Sequence, residues 1–277
     1  MSGATSVAII GLGVIGGSAA LALIERGSAP RGCSIDEDDR RLAAAAGVQV
    51  GELADCVREA DLVLIAVPLD RLADVVRQVI SAAPSHATVL HACGLQRPDA
   101  TRLEPDLSQR IIGTHPLAGS AQSGFAAASR DLFRGATVFV ETRGDGRMRE
   151  DAELFWSMAG ASRIEYRCAV DHDNLMAAIS HVPQVVATSL AATLAYANVP
   201  RQQLGPGGRD MTRLAASSWE MWRPLLANTP GRTLAMLESI ETELRDMREA
   251  ILAQTLDETG VTWTAARAWA LEDRKPS

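Results

Sequence analysis

Two short segments of this chain hold residue types that could do chemistry together: Gly11-Leu12-Gly13-Val14-Ile15-Gly16 and Gly113-Thr114-His115-Pro116-Leu117-Ala118-Gly119. The first fits GxGxxG, a spacing that cradles a dinucleotide pyrophosphate when a strand precedes it and a helix follows. Gly11 would permit the tight turn, Gly13 the approach of backbone to phosphate, and Gly16 close packing of the helix. Leu12, Val14 and Ile15 complete the turn, and the N-terminus of the following helix would offer free N–H groups and the positive end of its dipole. Asp36 lies about twenty residues further on. A carboxylate there accepts the ribose hydroxyls and repels a 2′-phosphate, so the expected cofactor is NAD rather than NADP. Arg40 and Arg41 stand close enough to blur that preference, whereas Glu37, Asp38 and Asp39 read as a solvated acidic turn. Val67 and Pro68, at the end of an apolar run, are expected to border the nicotinamide half of the cleft.

His115 is one of five histidines. Imidazole changes charge near neutral pH, so a histidine at the carboxyl end of a strand, where open α/β sheets bind ligands, suits a general base. On residue chemistry alone a structural cap is an equal reading. His91 reads as a pocket residue or, the favoured reading, as an ordinary strand-end histidine.

The elements that must position these groups follow from apolar patterning. Ser6–Ile10 reads as a buried strand, followed by the glycine turn and a helix from about Gly17 to Arg26. Cys33–Asp36, Leu62–Val67, Thr88–His91, Arg110–Thr114 and Ala136–Glu141 read as further strands. Arg40–Ala46 and Arg71–Ala82 read as helices. Continuous apolar strands alternating with helices imply an α/β fold, a doubly wound parallel sheet of Rossmann type. From about Val170 the pattern is helical. Leu234, Leu237, Ile240, Leu244, Met247 and Ile251 recur at helical spacing among charged residues, as a core-facing or dimer-forming helix would. The expected division is a nucleotide-binding domain over 1–167 and an all-helical C-terminal substrate and dimerisation domain over 168–277.

Bulk properties narrow the function. A formal net charge of -7, with no run of Lys or Arg, argues against a nucleic-acid partner. Cysteines at 33, 56, 93 and 168 form no CxxC pair, so no metal site is expected, and reduced thiols suit the cytoplasm. Residues 7–24 are apolar but interrupted by glycines and preceded by no positive charge, unlike a signal peptide. No other stretch reads as long and apolar enough to span a membrane.

A wider set of segments occurs in order: the GLGVIGGS opening; Thr114-His115-Pro116-Leu117-Ala118-Gly119-Ser120 with Ser123-Gly124; Ser180-His181-Val182-Pro183; and Gly207-Gly208-Arg209-Asp210-Met211-Thr212-Arg213 with Met221-Trp222-Arg223. Together they resemble the prephenate/arogenate dehydrogenase family of tyrosine biosynthesis, over residues 6 to about 255. The resemblance implies NAD-dependent oxidative decarboxylation of a cyclohexadienol, with a small-molecule substrate and a homodimer formed through the helical domain. It implies that His115 takes the proton of the C4 substituent and that Arg213 holds a substrate carboxylate, with Arg209 as the second candidate. It gives Trp222 a place in the pocket wall, Asp210 an orienting role, and His181 a place at the pocket or packed behind it.

Three positions depart from the family pattern. Gly94 stands where the family has a serine that bonds the C4 hydroxyl, Ala121 where it often has Glu, and Gln184 where it has His. Lost polar partners change specificity strongly. The substrate is therefore prephenate, arogenate or 4-amino-4-deoxyprephenate, the aminated analogue of antibiotic pathways. The β-hydroxyacid dehydrogenases share the opening but need a lysine in the helical half, and the only lysine here is Lys275. Imine and pyrroline-carboxylate reductases lack the His115 and Arg209–Arg213 segments. The non-enzymatic rival is an NAD-binding sensor that has lost catalysis.

Overall fold

The computed structural model describes residues 5–97, 101, 104–120, 122–229 and 231–272. Its centre is an eight-stranded sheet made by β1 (Val7–Ile10), β2 (Arg31–Cys33), β3 (Gln49–Val50), β4 (Leu62–Ile65), β5 (Thr88–His91), β6 (Ile111–Pro116), β7 (Thr137–Glu141) and β8 (Arg163–Arg167). Their spatial order is β3-β2-β1-β4-β5-β6-β7-β8. Strands β1, β4 and β5 are buried along their whole length, as strands covered on both faces must be. Their side chains alternate between two cores. Ile9, Leu64 and Leu90 join Leu23, Phe133, Phe155 and Trp156 on one face, and Ile10, Val63, Ile65 and Val89 join Leu72, Val76 and Val79 on the other.

The helices of this part are α1 (Val14–Glu25), α2 (Glu37–Ala45), α3 (Leu53–Val57), α4 (Leu69–Ala82), α5 (Pro105–Ser108) and α6 (Gly146–Met158). Helix α1 begins three residues before the expected Gly17, so Gly16 and Gly17 lie inside it. Tertiary packing overrides their poor helix propensity: a Cβ on Gly16 would stand 1.9 Å from the Gly11 carbonyl oxygen. The expected second strand is shifted as well, ending at Cys33 rather than Asp36.

One correction concerns strand direction. Pairing is parallel from β3 through β6, but β7 pairs antiparallel with β6, and β8 then pairs parallel with β7. A parallel neighbour needs a crossover, usually helical. Among the described residues between β6 and β7, the only helical turn is the 3₁₀ segment Phe125–Ala127. The chain therefore returns along the same edge and reverses.

Beyond β8 the chain is helical: α7 (Ala169–Met176), a π turn (Ala177–His181), α8 (Val182–Tyr196), α9 (Pro206–Thr212), a 3₁₀ turn (Arg213–Ala216) and α10 (Trp219–Ala227). These belong with the sheet to one compact unit, Met1–Pro230. Residues Gly231–Ser277 form a second unit, containing α11 (Gly231–Ala253) and α12 (Leu256–Ala270). The change from sheet to helix near residue 168 thus falls inside the first unit. Ala169–Tyr196 is long and apolar enough to cross a membrane by length and composition, contrary to expectation. It buries the polar His172, Asp173 and His181 in its first half, and 33% of its most apolar stretch is buried.

Candidate active site

The carboxyl ends of β1 and β4 frame a cleft with a volume of about 690 Å³, bordered by Gly11, Leu12, Gly13, Asp36, Val67 and Pro68 among others. The order of strands reverses about β1, which is where open α/β sheets bind their ligands. Gly11 has φ +98°, and a Cβ there would come 2.4 Å from the Ala66 carbonyl oxygen, so only glycine makes this turn. Gly13 caps α1 with no side-chain partner for the first N–H groups, and nothing lies within 4 Å of where its Cβ would be. Val14 and Ile15 form the first turn of that helix. The result is a bare helix N-terminus behind open space, which fits a pyrophosphate.

Asp36 caps α2 through Oδ1, which accepts from Asp39 N at 2.9 Å, and its carboxylate borders the cleft. Both nearby arginines are engaged. Arg40 donates to Glu52 at 3.2 Å and to the Ser34 carbonyl at 3.4 Å, and Arg41 pairs with Asp38 at 3.0 Å. Asp39 is not the solvated residue expected. Its Oδ1 accepts from Phe125 N at 2.6 Å, and burial raises its carboxyl pKa. It pins the loop after β6 to the edge of the cleft.

His115 lies near the end of β6, partly buried. Its Nδ1 is 3.0 Å from Nε2 of His172, and Nδ1 of His172 is 2.8 Å from Oδ1 of Asp173. His172 and Asp173 are fully buried at the start of the helical part. Asp173 accepts from Gln96 N at 2.9 Å, Arg97 N at 3.1 Å and Arg97 Nε at 3.3 Å. Burial, and then the neighbouring His172, push the His115 pKa down to about 3, so its imidazole is neutral at working pH. The strand-end loop from β5 connects this group to the cofactor cleft. Cys93 Sγ is 3.6 Å from the carbonyl oxygen of Val67, and the next residue, Gly94, faces His115. A Cβ on Gly94 would stand 3.8 Å from His115 Nε2 and 3.5 Å from Leu225 of α10, which is ordinary contact.

The other expected residues lie further along the helical part. His181 is buried at the π turn, with Nδ1 3.3 Å from Thr229 Oγ1 and its ring edge-on to Trp222 at 6.0 Å. Burial lowers its pKa. Trp222 is buried, and its indole N–H has no partner among the described residues. Gln184 donates to the Leu214 carbonyl at 3.0 Å and to Thr188 at 3.2 Å, tying α8 to the turn after Arg213. Arg209, Asp210 and Arg213 are exposed, and among the described residues no side-chain partner holds them. Arg213 borders an apolar cavity beside Leu194, Val199 and Leu204, so the geometry does not bring it against His115. Ala121 lies outside the described residues.

Two residues of the site escaped the sequence reading, His172 and Asp173. The available signal was their adjacency in a chain with few histidines. What makes them a pair with His115 is a contact across 57 residues. His91 proves to be a structural group. Its Nδ1 accepts from Cys93 N at 3.3 Å, and burial lowers its pKa to about 3.

Comparison with known proteins bears on the family and the fold. Residues 19–162 match the family described as prephenate dehydrogenase, nucleotide-binding domain, and residues 169–261 match prephenate dehydrogenase, dimerization domain. A prephenate dehydrogenase of Bacillus subtilis (strain 168) is 30% identical over 259 residues, covering 88% of this chain and 69% of that protein. A cyclohexadienyl dehydrogenase of Zymomonas mobilis is 30% identical over 271 residues, covering 91% and 90%. The crystal structure of prephenate dehydrogenase from A. aeolicus, in complex with hydroxyphenyl propionate and NAD+, superposes with a TM-score of 0.85 at 25% identity, covering 98% of each chain.

Proposed function

The chain belongs to the prephenate dehydrogenase family of NAD-dependent oxidoreductases, and from that membership we propose that it oxidatively decarboxylates a prephenate-type cyclohexadienol, prephenate or arogenate, to an aromatic product. The observation that carries this reading is the position of His115, neutral, at the carboxyl end of β6 and facing the space at Gly94. NAD, when bound, supplies the acceptor for the hydride that leaves C4. Gly11, Gly13 and the first turn of α1 hold its pyrophosphate, Asp36 its ribose, and Val67 and Pro68 flank its nicotinamide end. His115 takes the proton of the C4 substituent, and loss of the ring carboxylate as CO2 completes the aromatic ring. Trp222 and His181 wall the pocket. Arg213, with Arg209 as the second candidate, would bind a substrate carboxylate at a point away from His115, and Asp210 would orient neighbouring groups. We further assign residues 168–277 to substrate binding and homodimer formation, and the enzyme to the cytoplasm.

Gly94 favours a second reading. Gly94 places no hydroxyl beside His115, although a Cβ would fit there in ordinary contact. A C4 amine, which needs different partners from a C4 hydroxyl, suits that vacancy, so 4-amino-4-deoxyprephenate is the alternative substrate.

The test is NADH formation with prephenate, arogenate and 4-amino-4-deoxyprephenate offered separately. Preference for either of the first two supports the main reading, and preference for the amine moves the enzyme to a specialised pathway. NAD binding without turnover on any of the three would overturn both.

A further inference from the structure

We propose that His172 and Asp173 act as positioning residues that fix the tautomer of His115, leaving its Nε2 unprotonated toward the substrate; this rests on the role proposed above for His115. The argument is one of donors and acceptors. Asp173 is fully buried and receives three N–H donors, from Gln96 N, Arg97 N and Arg97 Nε. Facing three N–H donors, it serves as an acceptor. The 2.8 Å contact to His172 therefore has Nδ1–H of His172 as donor. The guanidinium of Arg97 already balances the charge of Asp173, so no second cation is needed in this buried place, and His172 is neutral. A neutral His172 with its proton on Nδ1 offers a lone pair on Nε2. The 3.0 Å contact to His115 then has Nδ1–H of His115 as donor. The one remaining nitrogen, Nε2 of His115, carries a free lone pair, and it is the nitrogen nearest Gly94.

The same chain handles the charge created in the reaction. When the proton of the C4 substituent bonds to Nε2, His115 becomes an imidazolium with Nδ1–H still directed at His172. The positive charge then lies at the head of a line of hydrogen bonds that ends on the Asp173 carboxyl group. Nothing is oxidised or reduced in this line; one proton is gained at Nε2 as hydride leaves C4, and it returns to the C4 substituent when loss of CO2 puts negative charge there, so no net proton is released.

The tautomer is read directly by ¹⁵N NMR of protein labelled in histidine, with His115 signals assigned by their loss in His115→Asn. The expected spectrum has His115 Nδ1 protonated and Nε2 of the unprotonated type at neutral pH. Asp173→Asn replaces an acceptor by a group that can donate to His172, reversing the chain and placing the proton of His115 on Nε2. In that variant kcat should fall on the order of 10²–10⁴-fold, as when a buried Asp behind a catalytic His is replaced by Asn. KM and NAD affinity should change less than about threefold, because neither ligand touches Asp173. A protonated Nε2 in the unmodified protein would overturn the proposal, as would an Asp173→Asn variant with unchanged tautomer and kcat. The spectrum of the unmodified protein decides the matter even if the variant fails to fold. Normal turnover by His115→Asn, with the expected tautomer present, would instead remove the base role and leave the hydrogen-bond chain standing.

Discussion

At the scale of single residues, the proposed function rests on His115 and Asp36. His115→Asn removes the proton acceptor while keeping a side chain of similar reach. Its kcat should drop on the order of 10²–10⁴-fold, the usual contribution of a positioned base, with NAD affinity nearly unchanged. Steady-state kinetics beside a titration of NAD checks both halves, and near-normal kcat would move the base elsewhere. Asp36→Ala removes the only carboxylate at the end of the β2 loop that both borders the cleft and caps α2. Because Arg40 and Arg41 are already paired with Glu52 and Asp38, this variant should lose NAD affinity and gain tolerance of NADP without becoming selective for it. The ratio of kcat/KM for the two cofactors measures this, and an unchanged ratio would place the ribose contact on another residue.

At the scale of elements, the tightest joint is that of β1 with α1. Gly16→Ala would drive a methyl group into the Gly11 carbonyl at a nominal 1.9 Å, a backbone contact that no side-chain rotation relieves. Overpacking of this kind costs about 1–3 kcal/mol. In a protein of this size that corresponds to a loss of roughly 2–12 °C in Tm, accompanied by weaker NAD binding as the turn is displaced. Calorimetry with and without NAD tests it; an unaltered Tm would show that the turn yields freely. The reversed strand β7 also packs against the candidate site. It closes the sheet beside His115, whose backbone pairs with Phe139, and the ring of Phe139 packs edge-on against His172 at 5.4 Å. The strand that carries His115 and the helix that carries His172 are thereby held in one packed group.

At the scale of the whole molecule, burial of neutral imidazoles ties stability to pH. His91 and His115 are held near pKa 3 in the folded state, against 6.5 when exposed. The unfolded chain therefore binds more protons than the folded one between those values, and stability is lost as pH falls below 6.5. Each such group costs about 1.4 kcal/mol per pH unit in that window. Tm should decline from pH 6.5 to 5, above the range where most carboxylates titrate, and His91→Gln should reduce the slope; an equal slope in the variant would show that other groups dominate. The second compact unit suggests a test of assembly. Leu244, Ile251, Leu252, Val261, Trp263 and Trp269 are each more than 60% exposed in the single chain. Light scattering should return twice the 29.4 kDa chain mass, and Leu252→Asp should shift it toward the monomer. A monomeric unmodified protein would refute the homodimer.

Local chemistry and periodicity determined a large part of this protein from sequence. The glycine turn, the buried strands, the parallel order up to β6, Asp36 as a cleft carboxylate and His115 at a strand end were all legible, because each depends on residues within a few positions of one another or on a repeat of two or four. The tertiary structure decided what depends on distant residues meeting. The reversal at β7 followed from a connection that lacks a crossover helix, and Asp39 became a clamp only when Phe125 arrived beside it. The link from His115 through His172 to Asp173, held in turn by Gln96 and Arg97, joins three separate stretches of chain. Hydrogen bonds of that span leave no periodic mark in a sequence, because their geometry is set by packing of the sheet against the helical part.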